Sequence, residues 1–349
     1  MCFLSEDRKL NEIMEYRTSD SDYERFCTML KEYEAMGYDV EVGVESTGNT
    51  RYFRNRVLEI GIGVKVINTM KFKVIRESAN KTDKRDAQTI AIFLEKDMIP
   101  ESVFCSQESE DIRRVLKSRS ILVRALVSLK NQVHGLLLGY GIESKRGQLQ
   151  SKRERQRILR DLEDHNKYYG YAAQALKPMF DSIDNLSNEV KRLEEVLLNL
   201  VSKDKDVELL MTIPGVGLIT AATIRAYTDD IGRYESSKKY SAYAGLVPWV
   251  QNSNETIHHG RITKRGPTEL RTAFVQMVMG MLRYTKRTNN YRIVAKYQDM
   301  KKTKGSGKSI IAAARKLSTM VYTMLKSREV FDTQKMMKYT FKHCMVSNG

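Results

Sequence analysis

Along the first hundred residues the apolar positions keep changing period. In DVEVGVEST and VKVINT they alternate with polar or small residues, the period of two that a half-buried strand requires. DYERFCTMLKEYEAMG, TRYFRNRVLEIG and DKRDAQTIAIFLEK instead return an apolar residue every three or four positions, which predicts helices, the first closed by Gly37. MCFLS and NEIMEYRTS read as short strands joined by a polar turn. Strands interleaved with helices predict an α/β domain with a mixed sheet over residues 1–105.

The pattern then becomes purely helical. From Ile112 to Leu138, Val115, Leu116, Leu122, Leu126, Leu129, Val133 and Leu136 occupy one side of a long helix, opposite Arg113, Arg114, Lys117, Arg124 and Lys130. Further on, Ile183, Leu186, Val190, Leu193, Leu197 and Leu200 step alternately by three and four, the a/d spacing of a coiled coil. That stripe fits a dimerisation arm and, equally, one helix of an antiparallel hairpin laid on the Ile112–Leu138 helix. Residues 106–205 are therefore expected to be a helical, coiled-coil region. Residues 206–330 form a mostly helical C-terminal domain, and residues 331–349 a basic tail.

Charge changes the picture most. Lys and Arg total 59 against 43 Asp and Glu, a formal charge of +16, and the pI is about 9.5. Such an excess attracts phosphate backbones in a salt-dependent way, so nucleic acid is the leading expected partner. The densest run, SKRGQLQSKRERQRILR, contains Lys152, Arg153 and Arg155; it is either a solvated helix face or a contact to an RNA or DNA backbone. The cysteines Cys2, Cys27, Cys105 and Cys344 lack zinc or disulfide spacing and fit reduced thiols. No apolar run approaches the roughly 18 to 20 residues of a membrane span, and no signal peptide opens the chain. A soluble, intracellular protein is expected.

Several residues carry candidate chemistry. Glu45 ends the DVEVGVE strand, while Asp83 and Asp86, three apart at a helix start, share one helix face. Carboxylates gathered this way suit Mg²⁺, a hard cation that prefers oxygen ligands; the ordinary alternative is a helix-start acid and a loop acid. In TIPGVGLITAATIRAY, Gly215 and Gly217 make a tight turn into a helix, resembling a helix-hairpin-helix turn that meets a phosphate through backbone N–H groups, or else simply packing two helices. KGSGKSI imitates a phosphate-binding P-loop, but Lys302 stands where the motif needs glycine, and it reads as a basic loop before a core helix. Ser253 is followed by His258, His259, Arg261, Lys264, Arg265 and Arg271, groups able to neutralise a phosphorane formed by serine attack. Trp249, the only tryptophan, fits a base-stacking role or a core or interface anchor.

Taken together, VESTG, KTDKRDAQTIA, IPGVG, YAGLVPWVQNS and GRITKRGPTELR, in that order, resemble the insertion-sequence-110 family of transposases, which includes pilin-gene invertases and bridge-RNA-guided recombinases. The resemblance runs from the first residues to about Leu325. It implies an α/β plus α architecture: an N-terminal ribonuclease-H-like domain of the Holliday-resolvase type, a coiled-coil middle and a C-terminal serine-bearing domain with the helix-hairpin-helix-like turn. By the same resemblance Glu45, Asp83 and Asp86 match three of four metal-binding carboxylates, and Ser253 matches the nucleophile. The implied chemistry is Mg²⁺-assisted cleavage of double-stranded DNA through a serine-linked intermediate, by a homo-oligomer, dimer or tetramer, whose active sites combine domains of different subunits. A noncoding guide RNA is implied as a partner, and a cytoplasmic, nucleoid-associated location.

Three positions depart from that family pattern. Trp249 stands where the family has Arg after its VP pair, and Asn254 where it has Gly after the serine. The family's first strand, which ends in a Gly-[IV]-Asp segment with the first acid, has no counterpart before MCFLSED, and Asp7 is a poor substitute at the far turn of the hairpin. The expectation is an open reading frame that starts upstream, or an inactive truncated copy. The rival readings are an invertase that reads DNA without RNA, a non-catalytic nucleic-acid-binding remnant, and a metal-only nuclease.

Overall fold

The computed structural model describes residues 2–4, 10–11, 14–69, 71–72, 83–145, 147–164, 170–253 and 256–337. Asp7, Asn254 and the tail from 338 onward lie outside the described residues, as do the side chains of Asp83, Asp86, Ser253, His258 and His259. The chain divides into two compact units, residues 1–104 and 105–349.

In the first unit, β1 (Phe3–Leu4) and β2 (Leu10–Asn11) pair antiparallel. Helix α1 (Asp20–Ala35) follows, and then β3 (Glu41–Glu45), α2 (Thr50–Glu59) and β4 (Gly63–Ile67) form a parallel strand–helix–strand unit. Helix α3 (Asp83–Glu95) completes the α/β unit. Alternation along β3 explains its two faces. Val40, Val42 and Val44 pack with Tyr23, Phe26, Leu30, Phe53 and Val57 of α1 and α2. Gly43 faces the other way, where a Cβ would come within 3.0 Å of Ile90 and 3.2 Å of Leu94. Helix α3 thus lies directly on β3 because position 43 has no side chain. Lys65 of β4 binds Asp97 at 2.8 Å and Glu41 at 2.9 Å, which pushes its pKa up and ties the turn after α3 to the strand pair.

The second predicted strand is shorter than NEIMEYRTS. Residues 14–19 leave the ladder because they serve α1 instead: the Arg17 N–H donates to Asp22, the Ser19 hydroxyl caps the helix, and Tyr16 packs edge-on against Phe26. Among the described residues the sheet is one parallel and one antiparallel pair, not a continuous mixed sheet.

In the second unit, α4 (Gln107–Gly139) and α6 (Ala172–Leu200) pack along one another, with Arg119 and Glu194 paired at 2.6 Å. Helix α6 is thus one member of a helical hairpin, and of its heptad-like stripe Ile183 and Leu197 are buried within the chain, Leu186, Val190 and Leu193 are half-buried and Leu200 is exposed. By length and composition α4 would pass for a membrane span, although its pairing with α6 and its Arg and Lys residues fit a packed helix. At one end of the hairpin, Val133, Leu137, Leu149, Phe180 and Ile183 enclose α5 (Lys152–Asp164) through Ile158 and Leu162. At the other end, Ile112, Leu197 and Val201 join the main core. That core comprises α7 (Lys205–Met211), α8 (Leu218–Thr228), α9 (Ser237–Tyr243), α10 (Thr268–Arg283) and α12 (Arg292–Ser327). Between α9 and α10 stands a hairpin of β5 (Pro248–Ser253) and β6 (Thr256–Ile262); α11 (Thr285–Thr288) and α13 (Thr333–Met336) are single turns. KGSGK is a single break at Gly305, with φ +75° and ψ 167°, inside α12, where a longer basic loop was expected.

Where α4 starts, Asp229 accepts from the Ser109 hydroxyl at 2.6 Å, the Ser106 hydroxyl at 2.7 Å and the Ser106 N–H at 3.2 Å. Arg225 stands beside it, paired with Asp204 at 2.8 Å. Burial pulls the Asp229 carboxyl upward, but the donors and Arg225 together hold it below its ordinary value. A depressed carboxyl stabilises the fold above the unfolded pKa of about 4 and loses that contribution as pH falls through the folded value. Asp229→Asn is expected to lower Tm at pH 7, with the gap to wild type closing as the pH is taken below about 4.

Candidate active site and nucleic-acid interface

The strand end that carries Glu45 is pinned by its own turn. The Thr50 hydroxyl donates to the Glu45 carbonyl at 2.9 Å and accepts from the Thr47 N–H at 2.6 Å, while Asn49 reaches the Tyr23 hydroxyl at 3.0 Å. Thr50 is buried, and Glu45 itself is exposed. Asp83 and Asp86 open α3, the helix laid on β3 through Ile90 and Leu94. Positions 83, 86, 90 and 94 fall on one stripe of a 3.6-residue helix, so the stripe that packs against Gly43 continues towards the two acids. Among the described residues no cluster of three or more His, Cys, Asp or Glu side chains is gathered, and the side chains of Asp83 and Asp86 lie outside them; the three candidates are all carboxylates, the ligand type of a hard cation such as Mg²⁺.

Ser253 is the last residue of β5, its backbone paired with Thr256 at the far end of the hairpin. The root of the hairpin is fixed by two glycines. At Gly266, φ +83°, a Cβ would meet the Tyr243 carbonyl oxygen within 1.9 Å, and at Gly245, φ +68°, it would meet the Arg265 carbonyl oxygen within 2.3 Å. The Thr263 N–H closes the root on Val247 at 2.9 Å. Beneath lies an aromatic block in which the Arg233 guanidinium sits 4.8 Å from the Tyr234 ring and 4.9 Å from the Tyr243 ring. Burial pushes the Tyr234 hydroxyl pKa up, so this tyrosine stays a neutral packing group.

The predicted nucleic-acid contacts separate into different kinds. Arg261, Lys264 and Arg265 are exposed beside the hairpin root, whereas Arg271 donates to Thr268 at 3.1 Å and lies 3.5 Å from the Ala244 carbonyl. Lys152 and Arg153 are exposed on α5. Arg155 is turned inward: it is buried, ion-paired with Asp184 and bonded to the Leu149 carbonyl, so it is not free to meet a phosphate. It lies three positions after Lys152, nearly a full turn, but the apolar positions Ile158 and Leu162 fix its side as the inner one. Arg155→Ala is expected to cost about 2 kcal/mol through the loss of charge-assisted bonds, while Lys152→Ala and Arg153→Ala leave the Tm unchanged; thermal denaturation of the three variants checks this.

Gly215 and Gly217 also divide. Gly215, φ +85°, touches Gly280 of α10 so closely that a Cβ would lie 2.5 Å from the Gly280 carbonyl carbon, so this glycine packs two helices. Gly217 caps α8 with open space around it, in a recess that also contains Glu194. The glycine pairs and the Arg155–Asp184 contact escape motif reading because their partners are distant in sequence.

Residues 1–142 match a family model for transposases of the DEDD type of IS110, and residues 207–293 match the model for the transposase IS116/IS110/IS902 family. The chain belongs to the IS110 family of transposases. It is 26% identical over 294 residues to the transposase for insertion sequence element IS1111A of Coxiella burnetii, covering 83% of this chain and 79% of that one. It is 29% identical over 238 residues to the transposase for IS1328 of Yersinia enterocolitica, covering 67% and 69%. Over 160 residues it is 29% identical to the pilin gene-inverting protein of Moraxella lacunata, covering 44% and 48%. This IS110-family transposase thus carries Glu45, Asp83 and Asp86 inside one matched region and Ser253 inside the other.

Proposed function

We propose that this transposase cuts and exchanges DNA strands by attack of Ser253 on a phosphodiester. The observation that supports the reading is the position of Ser253 at the end of a hairpin whose root is fixed by Gly245 and Gly266 and flanked by exposed Arg261, Lys264 and Arg265, in a chain whose other unit carries the carboxylates Glu45, Asp83 and Asp86. The Ser253 hydroxyl oxygen bonds to phosphorus as its proton leaves, the P–O bond to one strand breaks, and that strand departs with a free hydroxyl. A hydroxyl of a second strand then attacks the phosphoserine ester, restoring a phosphodiester and the serine, so bond energy is conserved between the two steps. The flanking cations orient the phosphate and offset its charge.

Glu45, Asp83 and Asp86 would hold Mg²⁺, which when bound supplies Lewis-acid polarisation of phosphate oxygens. In this reading the ribonuclease-H-like first domain of one subunit acts with the serine domain of another in a homo-oligomer. A noncoding RNA pairs with both DNAs to choose the sites. A second reading, a site-specific invertase without RNA, draws on the similarity to the Moraxella pilin gene-inverting protein.

A recombination assay on element-end DNA tests the proposal. Exchange is expected with Mg²⁺ and not with EDTA, and Glu45→Gln should lower it by about 10²-fold or more. Ribonuclease treatment of the purified protein should abolish exchange in the RNA-guided reading and leave it intact in the invertase reading. Undiminished exchange in EDTA would overturn the carboxylate assignment.

A further inference from the structure

Trp249, the one tryptophan of the chain, is 50% exposed although it sits on a strand. Its indole occupies the space in which a side chain at position 260 would stand: a Cβ there would lie 3.0 Å from indole Cε3 and 3.6 Å from the Trp249 carbonyl oxygen. Gly260 is thus the seat of the ring. The strand register slips between Pro248 and Val250, so that Gly260 and Arg261 together stand opposite Trp249. Among the described residues the hairpin is a sheet of two strands only, and half of the Trp249 surface is open. The exposed Arg261, Lys264 and Arg265 follow in sequence. Trp249 lies four residues before Ser253 on the same strand, about 14 Å at the usual strand rise.

We infer that Trp249 is a stacking platform for an unpaired nucleobase, held a few nucleotides from the phosphate that Ser253 attacks. The inference rests on the serine-recombinase reading for that distance, but the platform itself rests on the hairpin. An indole seated against backbone presents a fixed flat face with little rotamer freedom left to lose, and base stacking on an aromatic accepts any base. The neighbouring cations draw in the sugar–phosphate chain and disfavour a basic partner. Strand exchange creates unpaired bases beside each cut, which is where such a platform would act.

Because the chain has a single tryptophan, its intrinsic fluorescence reports this ring alone. Full-length protein is titrated with single-stranded DNA, RNA of the same sequence, the same DNA with abasic sites, and duplex DNA. The expected result is strong quenching by base-bearing single strands and little by abasic DNA, even though the latter binds through charge. Quenching by DNA alone or by RNA alone assigns the source of the base, and equal quenching assigns it to either. In anisotropy assays Trp249→Leu should weaken single-strand binding by about 5- to 100-fold while barely changing abasic binding; Trp249→Phe should recover most of the loss. Binding without quenching, or Trp249→Leu binding base-bearing and abasic strands in the wild-type ratio, would overturn the platform alone. Failure to bind any of the four would overturn it together with the function proposed above.

Discussion

Ser253→Ala is expected to reduce DNA strand cleavage by about 10³-fold or more, while duplex binding and Tm stay close to wild type. The size follows from the role: without the hydroxyl there is no atom to form the phosphoserine ester, and the remaining cations can only hold substrate. Ser253 is the last residue of β5, and its replacement by alanine removes a single oxygen. A cleavage time course with labelled element-end DNA reads the rate. The conventional metal-dependent nuclease predicts the reverse, with Ser253→Ala active and Asp83→Asn or Asp86→Asn inactive. In the serine mechanism both kinds of variant fail, but only the serine variant should retain metal-dependent binding of its DNA.

The second large effect concerns the fold that presents the serine. Gly215→Ala is expected to destabilise the C-terminal unit by on the order of 3 kcal/mol, because it combines a side chain at φ +85° with a backbone collision. Its Cβ would lie 2.5 Å from the Gly280 carbonyl carbon and 2.8 Å from the Met281 nitrogen, neither of which moves without shifting α10. The reciprocal change, Gly280→Ala, would drive a Cβ to 2.2 Å from the Gly215 carbonyl oxygen and should be at least as severe. Gly217→Ala meets open space and is expected to cost far less. Thermal unfolding of the three variants gives the comparison, and equal Tm values for Gly215→Ala and Gly217→Ala would contradict the packing role.

The elements were legible wherever a local period decided them. Alternating valines gave β3, and the apolar repeat at three and four residues gave α1, α2, α3, α4 and α6. What local pattern cannot carry is a contact between distant residues. The heptad-like stripe on α6 fits an intermolecular partner and α4 alike, and the pairing with α4 could not be read from it, while Arg155 looked like its neighbours Lys152 and Arg153 until Asp184 was placed beside it. Gly215 read as a phosphate turn or a packing glycine, and only Gly280 distinguishes them. For the candidate site, chemistry was legible and packing was not: helix α3 seats Ile90 and Leu94 on β3 at Gly43, a residue that no catalytic motif requires.

The central claim is that the phosphate is transferred to Ser253 itself. The direct measurement is to incubate the protein and its co-purified RNA with element-end DNA in Mg²⁺, denature, digest the protein–DNA adduct with protease and nuclease, and sequence the modified peptide by mass spectrometry. The account predicts a peptide spanning Ser253 that carries a nucleotide on that residue, absent from the Ser253→Ala protein. Cleaved DNA with no protein attached, or a nucleotide on any other residue, would contradict it.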